Sequence, residues 1–401
     1  MPSISVDELE AWLEPLEDHA DPEPGALFRL PYAPPWLHAV LPAFEGPNHA
    51  AQLCWASNGD LLAVWMAGSG EGTAGMNVVL SRLSSPAGPW SDPERISEDD
   101  TRSEQNPLLW CEPSGRLHLL HTAQEVRDPD APRDSDGAFS MQWTARLRHR
   151  HSDDHGHSWS SSRDLIDTTA FCRHPPLLQQ DGSWYLPIYR STAEGGLFGH
   201  DFSEILHLEA DLSVRAVIPV PNSLGRVHGS LVPSADGNAL LLFFRSRLAD
   251  RIYRAQAPMP CAGSSDPPFF SEPVATDLPN NNSSIQALRL SSGRLALIFN
   301  RFGLSTEEPQ QWGEARWPRT RWPLSVAISD DDGRSWPWIR DLMTSQGFCG
   351  EDNWFANGRL EYPTLLEGPP GVLHAAFSWM NQAAIRYVRC HEFDVLGVAP
   401  D

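Results

Sequence analysis

Residues 285–300 read IQALRLSSGRLALIFN, an apolar run, a turn centred on Gly293 and a second apolar run. Side chains that alternate around a turn glycine predict two antiparallel strands joined by a tight hairpin, the glycine supplying a positive φ. Working outward, the same pattern stands at Gly59 (AAQLCWASNGDLLAVW), Gly115 (PLLWCEPSGRLHLLHT), Gly182 (PPLLQQDGSWYLPIY), Gly237 (SLVPSADGNALLLFF) and Gly371 (PTLLEGPPGVLHAAFSW). Successive glycines are 56, 67, 55, 56 and 78 residues apart. Each interval holds four short strands and a loop, which is the size of a propeller blade. The chain is therefore expected to be all-β, a six-bladed β-propeller over residues 45–401 behind an N-terminal extension of residues 1–44. In that extension Val6, Leu9, Trp12 and Leu13 have helical spacing, and Pro24 and Gly25 end the predicted short helix.

Bulk composition narrows the partners. A net charge of -22 argues against nucleic acid and against anionic membrane surfaces, so an anionic ligand must meet a local cluster of positive charge. All 30 cationic side chains are Arg, which excludes Schiff-base chemistry and supplies planar forks suited to carboxylates. The six cysteines (Cys54, Cys111, Cys172, Cys261, Cys349, Cys390) have no paired or metal-ligand spacing, and they read as thiols in a reducing compartment. No basic start or long apolar run marks the N-terminus, so a cytoplasmic location is expected. Neither a metal nor a cofactor is expected.

Two further turns carry a sharper signature: SDDHGHSW at 152–159 and SDDDGRSW at 329–336, both of the pattern S-x-D-x-G-x-[ST]-W. The Asp accepts from turn amides, the Gly takes a positive φ and the Trp fills the gap between sheets. Degenerate copies stand at 81–90 (SRLSSPAGPW) and 264–271 (SSDPPFFS). This is the Asp-box, and the chain resembles the sialidase superfamily, in particular divergent bacterial sialidase-like proteins with BNR repeats. Arg-Ser-Arg-Leu-Ala-Asp-Arg-Ile-Tyr-Arg at 245–254, the Asn-rich run Asn280 to Ser284 and the pair Tyr362-Pro363 carry that narrower likeness.

If the glycine turns and Asp-boxes share one face, the residues preceding each first strand ring the mouth of the axial funnel on the other. Nine or ten residues before the glycines stand His49, Asn106, Arg173 with His174, His228, Ser284 with Asn282 nearby, and Glu361 with Tyr362. Eight residues after Gly182, Gly237 and Gly293 stand Arg190, Arg245 and Arg301. That shared offset predicts three guanidinium groups converging on a carboxylate, with Arg251 as a further candidate beside Arg245.

The resemblance implies a glycosidase for an acidic sugar: three arginines hold the carboxylate, a Tyr paired with a Glu attacks, and an Asp serves as acid/base. Tyr362 stands in the nucleophile's place and Arg245 in that of one arginine. His228 stands where the partner Glu would be, and His49 near the arginine of the opening motif; Phe28 to Pro31 read FRLP but lie about twenty residues too early. Glu71, in the loop SGEGTAG, and Glu361 are the available carboxylates. Adjacent strand residues face opposite sides, so Glu361 and Tyr362 share the axis only if the strand has not begun there. Elimination from a uronate is the alternative, using His49, His228, Tyr362 and the arginines. A third possibility is a non-catalytic glycan-binding propeller, with Trp312, Trp317 and Trp322 of loop 303–323 stacking on sugar. Four Asp in loop 127–137 lack calcium-loop spacing.

Overall fold

The computed structural model describes residues 23–30, 34–128, 130, 141–193, 200–261, 266–303, 311–312, 315–318, 320–344 and 359–398. Six sheets of four or five antiparallel strands each follow one another along the chain, the six blades of a propeller. Blades one to five take consecutive strands in order from the axis outward. The fifth is Gln286–Arg289, Leu295–Asn300, Leu324–Ser329 and Trp338–Met343, interrupted by a small hairpin, Gln311–Trp312 with Ala315–Arg316. Each of the six sequence glycines lies at a positive φ in the turn between the first and second strands. Between blades the core is aliphatic and aromatic, and Trp65, Phe243, Phe244, Phe299 and Phe377 are all fully buried. The N-terminal helix expected before residue 23 and loop residues 129 and 131–137 lie outside the described residues.

The sixth blade departs from the expected domain boundary. Its inner strands are Glu361–Glu367, Val372–Trp379 and Ala384–His391, and the fourth and fifth are Leu37–Val40 and Phe28–Arg29 from the other end of the chain. Residues assigned from sequence to a separate extension thus complete the ring, because Ala384–His391 would otherwise present an unpaired edge. A four-residue strand is too short for periodicity to reveal. FRLP lies on this outermost edge, and Arg29 donates to the Pro35 carbonyl at 2.8 Å.

Both Asp-boxes form the turn between third and fourth strands, in blades two and five. Ser152 Oγ donates to Asp154 at 2.7 Å and accepts from the Gly156 amide at 2.8 Å, while Asp154 also accepts from the Ser158 amide and hydroxyl. Ser329, Asp331, Gly333 and Ser335 repeat the arrangement. Trp336 packs edge-on against Phe243 of the preceding blade. The boxes join blades and lie away from the funnel residues.

Four blades share a feature the repeat does not announce. Their inner strands are bulged between His49 and Gln52, Gln105 and Leu108, Val227 and Ser230, and Glu361 and Thr364. Within each bulge one residue, nine before its turn glycine, is left-handed: Ala50 (φ 60°), Asn106 (50°), His228 (53°) and Tyr362 (51°). A side chain there costs on the order of 1–3 kcal/mol, and a bulge re-aims side chains that a regular strand would send to alternate faces.

Candidate active site

Tyr362 stands at the centre of the funnel mouth. Its hydroxyl accepts from Arg245 Nη1 at 2.8 Å, and its ring lies 4.4 Å from the ring of His49 and 5.5 Å from that of His228. The bulge resolves the conflict between Glu361 and Tyr362. With Tyr362 left-handed, the phenol meets the histidines while Glu361, fully buried, turns to Arg321 Nη1 (3.0 Å), Arg359 Nε (2.6 Å) and Gln382 Nε2 (2.9 Å). Burial works to raise the Glu361 pKa, but Arg321, Arg359 and His49 together hold it well below the usual carboxylate range. Glu361 is therefore a fixed anion.

Arg173 reaches across the axis. It leaves blade three, and its Nη2 donates to the carbonyls of Ala51 in blade one (2.7 Å) and Tyr362 in blade six (3.1 Å), holding two of the bulges. Arg245 is equally buried, and its Nε donates to Asn282 Oδ1 at 2.7 Å. Burial lowers both guanidinium pKa values to about 10, and both stay charged at neutral pH. Neither has a carboxylate partner among the described residues. Asn282, with its amide nitrogen on the Arg316 carbonyl, is consumed in positioning Arg245.

Burial lowers the His49 pKa to about 3, the attraction of Glu361 being outweighed, and lowers that of His228 well below its ordinary value, helped by Arg245 and Arg247. Both imidazoles are neutral at physiological pH. Glu71 lies on a loop held by blade two, where the Gly72 amide donates to Ser103 Oγ and the Gly72 carbonyl accepts from the Arg127 amide. The Glu71 carboxyl lies within electrostatic reach of Arg127, Glu361, Arg321 and Arg245, and desolvation raises its pKa against the pull of Arg127. Asn106 occupies the equivalent ring position in blade two.

The three-arginine cluster does not form. Arg190 pairs with Glu204 at 2.8 Å and donates to Thr168 and the Thr169 carbonyl; Arg301 makes a two-pronged pair with Asp341 at the surface. Arg251, also exposed, donates to the Asp277 carbonyl. The cause is one extra residue. Blades three and five close their turns over three residues, between Gln179 and Ser183 and between Leu290 and Arg294, whereas blade four closes over four, between Ser234 and Ala239. A shift of one flips every side chain on the following strand, so Arg245 faces the funnel and its apparent counterparts face away. Its true equivalents lie seven residues after the glycine, among them Tyr189 and Ser378. Tyr189 stands 5.4 Å from His228, and Ser378 Oγ lies 2.8 Å from His49 Nδ1.

Arg247, expected from the run 245–254 to be solvated or paired with Asp250, instead pairs with buried Asp201 at 2.7 Å and lies 5.5 Å from the Trp317 ring. Arg321, expected as one of the charges of loop 303–323, and Arg359, which the sequence does not single out, both pair with Glu361. Arg321 and Arg359 come from non-repeating segments, where no offset points to them.

The bladed ring, the stapled third hairpins and the arginine-lined mouth around a tyrosine define a sialidase-like β-propeller. The chain belongs to the BNR repeat-like domain family, matching it over residues 59–375. Among solved structures it is similar to a Hadza microbial sialidase (13% identity, TM-score 0.64, 87% of this chain and 66% of that one). It is also similar to a Dyadobacter fermentans protein of unknown function (14%, 0.63, 88% and 97%). A third likeness is to the intramolecular trans-sialidase of Ruminococcus gnavus, solved with oseltamivir carboxylate (13%, 0.60, 88% and 96%). The chain spans just under two thirds of the Hadza enzyme. At these identities the likeness establishes the fold alone. No curated protein matches the chain.

Proposed function

We propose that this protein is a glycosidase that removes a terminal, carboxylate-bearing sugar, with Tyr362 as nucleophile. The observation that carries the reading is the 2.8 Å contact between Arg245 and the Tyr362 hydroxyl, in a funnel where Arg321 and Arg359 hold the Glu361 carboxylate and Arg173 and Arg245 have no carboxylate partner among the described residues. That excess of positive charge suits an anionic sugar. Tyr362 oxygen attacks the anomeric carbon as its own proton passes to a neighbouring imidazole, the bond to the leaving oxygen breaks, and Glu71, whose raised pKa favours its protonated form, supplies the leaving oxygen's proton. Water then releases the sugar from Tyr362, with Glu71 drawing its proton. Arg173, spanning the axis from blade three to the Ala51 and Tyr362 carbonyls, supports a one-ended site and hence action on chain termini.

Elimination is the second reading. It is favoured by the two neutral imidazoles beside Tyr362, a phenol to which no carboxylate among the described residues is hydrogen-bonded.

The test uses 4-methylumbelliferyl glycosides of N-acetylneuraminic and glucuronic acids, with product analysis. We expect fluorophore release with a saturated acidic sugar as product, abolished in Tyr362→Phe and Arg245→Met and retained in Arg190→Ala and Arg301→Ala. Unchanged turnover in Tyr362→Phe refutes the nucleophile. An unsaturated uronate identifies elimination instead.

A further inference from the structure

We propose that His49 takes the phenolic proton of Tyr362 and that Ser378 and Glu361 hold it in the accepting tautomer; this rests on Tyr362 being the nucleophile. Two imidazoles flank the phenol, and their surroundings make them unequal. His228 Nε2 lies 3.4 Å from Arg245 Nη1, and a guanidinium nitrogen can only donate, so that lone pair is engaged. The other nitrogen of His228 donates to Ser284 Oγ at 3.0 Å. Neither side of His228 is open to receive a proton from Tyr362.

His49 is arranged in the opposite sense. Its Nδ1 lies 2.8 Å from Ser378 Oγ and 3.8 Å from Glu361 Oε2. A carboxylate on that side favours the hydrogen on Nδ1. Ser378 Oγ also accepts from the Ala50 amide at 3.2 Å, and a hydroxyl oxygen has lone pairs for both donors. The lone pair of Nε2 is left without a hydrogen bond among the described residues. Arg245 Nη1 donates to the Tyr362 oxygen, so the phenolic hydrogen must point elsewhere; of the two imidazole rings, that of His49 packs closer to the Tyr362 ring, 4.4 Å against 5.5 Å between centroids.

The step balances. The O–H bond of Tyr362 breaks, an N–H bond forms at His49 Nε2, and the electron pair stays on the phenolate facing Arg245. Charged and titratable groups that face His49 are Glu361, Arg321, Arg359, Arg173 and Tyr362. Burial first, and then the guanidinium groups, keep the resting imidazole neutral. Glu361 offsets the charge His49 acquires, and it remains ionised because Arg321 and Arg359 hold it. Its part is positioning, as is that of Ser378.

Nitrogen-15 histidine NMR on the full chain, with His49→Gln for assignment, tests the tautomer without any substrate. We expect His49 with its hydrogen on Nδ1 and a bare Nε2; a hydrogen on Nε2 overturns the proposal. On an active 4-methylumbelliferyl glycoside, His49→Ala is expected to lose about 100- to 10,000-fold in kcat, partly restored by added imidazole. Ser378→Ala should lower kcat with KM unchanged. Imidazole rescue of His228→Ala but not of His49→Ala gives the role to His228 and refutes the inference. Should wild-type protein cleave none of the glycosides, the functional reading fails on its own, and the tautomer measurement still decides the state of His49.

Discussion

Replacing Glu361 by Gln removes one negative charge and leaves the shape nearly unchanged. The carboxylate has no solvent exposure, and its oxygens accept from Arg321, Arg359 and Gln382. Removing one partner of a buried ion pair costs about 3–5 kcal/mol. The side chains of Arg321 and Arg359 are 10% and 21% exposed, so solvent shares in screening them and the lower end of that range applies. For a 401-residue chain unfolding in one transition, an unfolding entropy of about 0.8 kcal/mol/K turns about 3 kcal/mol into a fall of about 4 °C in Tm. Because the folded pKa lies below the ordinary 4.5, the contribution is present above that value and is lost as pH falls through the folded one. At 1.36 kcal/mol per unit, about 2 kcal/mol of the gap between wild type and variant should close by about pH 3. Differential scanning calorimetry at pH 7 and in acid measures both effects. A gap that is absent at pH 7, or present and equally wide in acid, refutes the account of Glu361 as a charge-holding anchor.

Two further perturbations test the scaffold. Gly333 and Gly293 have similar positive φ values, but a Cβ at Gly333 would lie 2.8 Å from Phe243 and one at Gly293 meets open space. Strain cancels in the comparison, so Gly333→Ala should be less stable than Gly293→Ala by about 1–3 kcal/mol in denaturant melts, and equal stability would refute the tight blade contact. Arg173→Met leaves the Ala51 and Tyr362 carbonyls without that donor, and hydrogen exchange should quicken at residues 49–52 and 361–364 specifically. Unchanged protection there would show that the bulges stand without the strut.

The blades were legible because a repeat announces itself six times, and both Asp-boxes fell where their residues predicted. The site was legible at the first-strand positions. Counting back nine or ten residues from the glycines reaches His49, Arg173, His228 and Tyr362, since the first strand and its turn have nearly constant length in those blades. Counting forward failed at Arg190 and Arg301 because Asn238 lengthens one turn, a difference visible in SADGNA beside SSGRL only when turn length is read together with offset. The bulges, the cross-axis reach of Arg173 and the pairing of Glu361 with Arg321 and Arg359 depend on contacts between blades. Such contacts leave no periodic trace in the chain.

His38 pairs with Val388, partners separated by almost the whole polypeptide. A clasp of that kind makes ring closure the most non-local event in folding, since all the intervening blades must stack before the two strands meet. Until then the Ala384–His391 edge offers a template to any free strand, including the Leu37–Val40 segment of a neighbouring molecule. Exchange of that one short segment between copies is thus the assembly error to which this architecture is most open at high concentration.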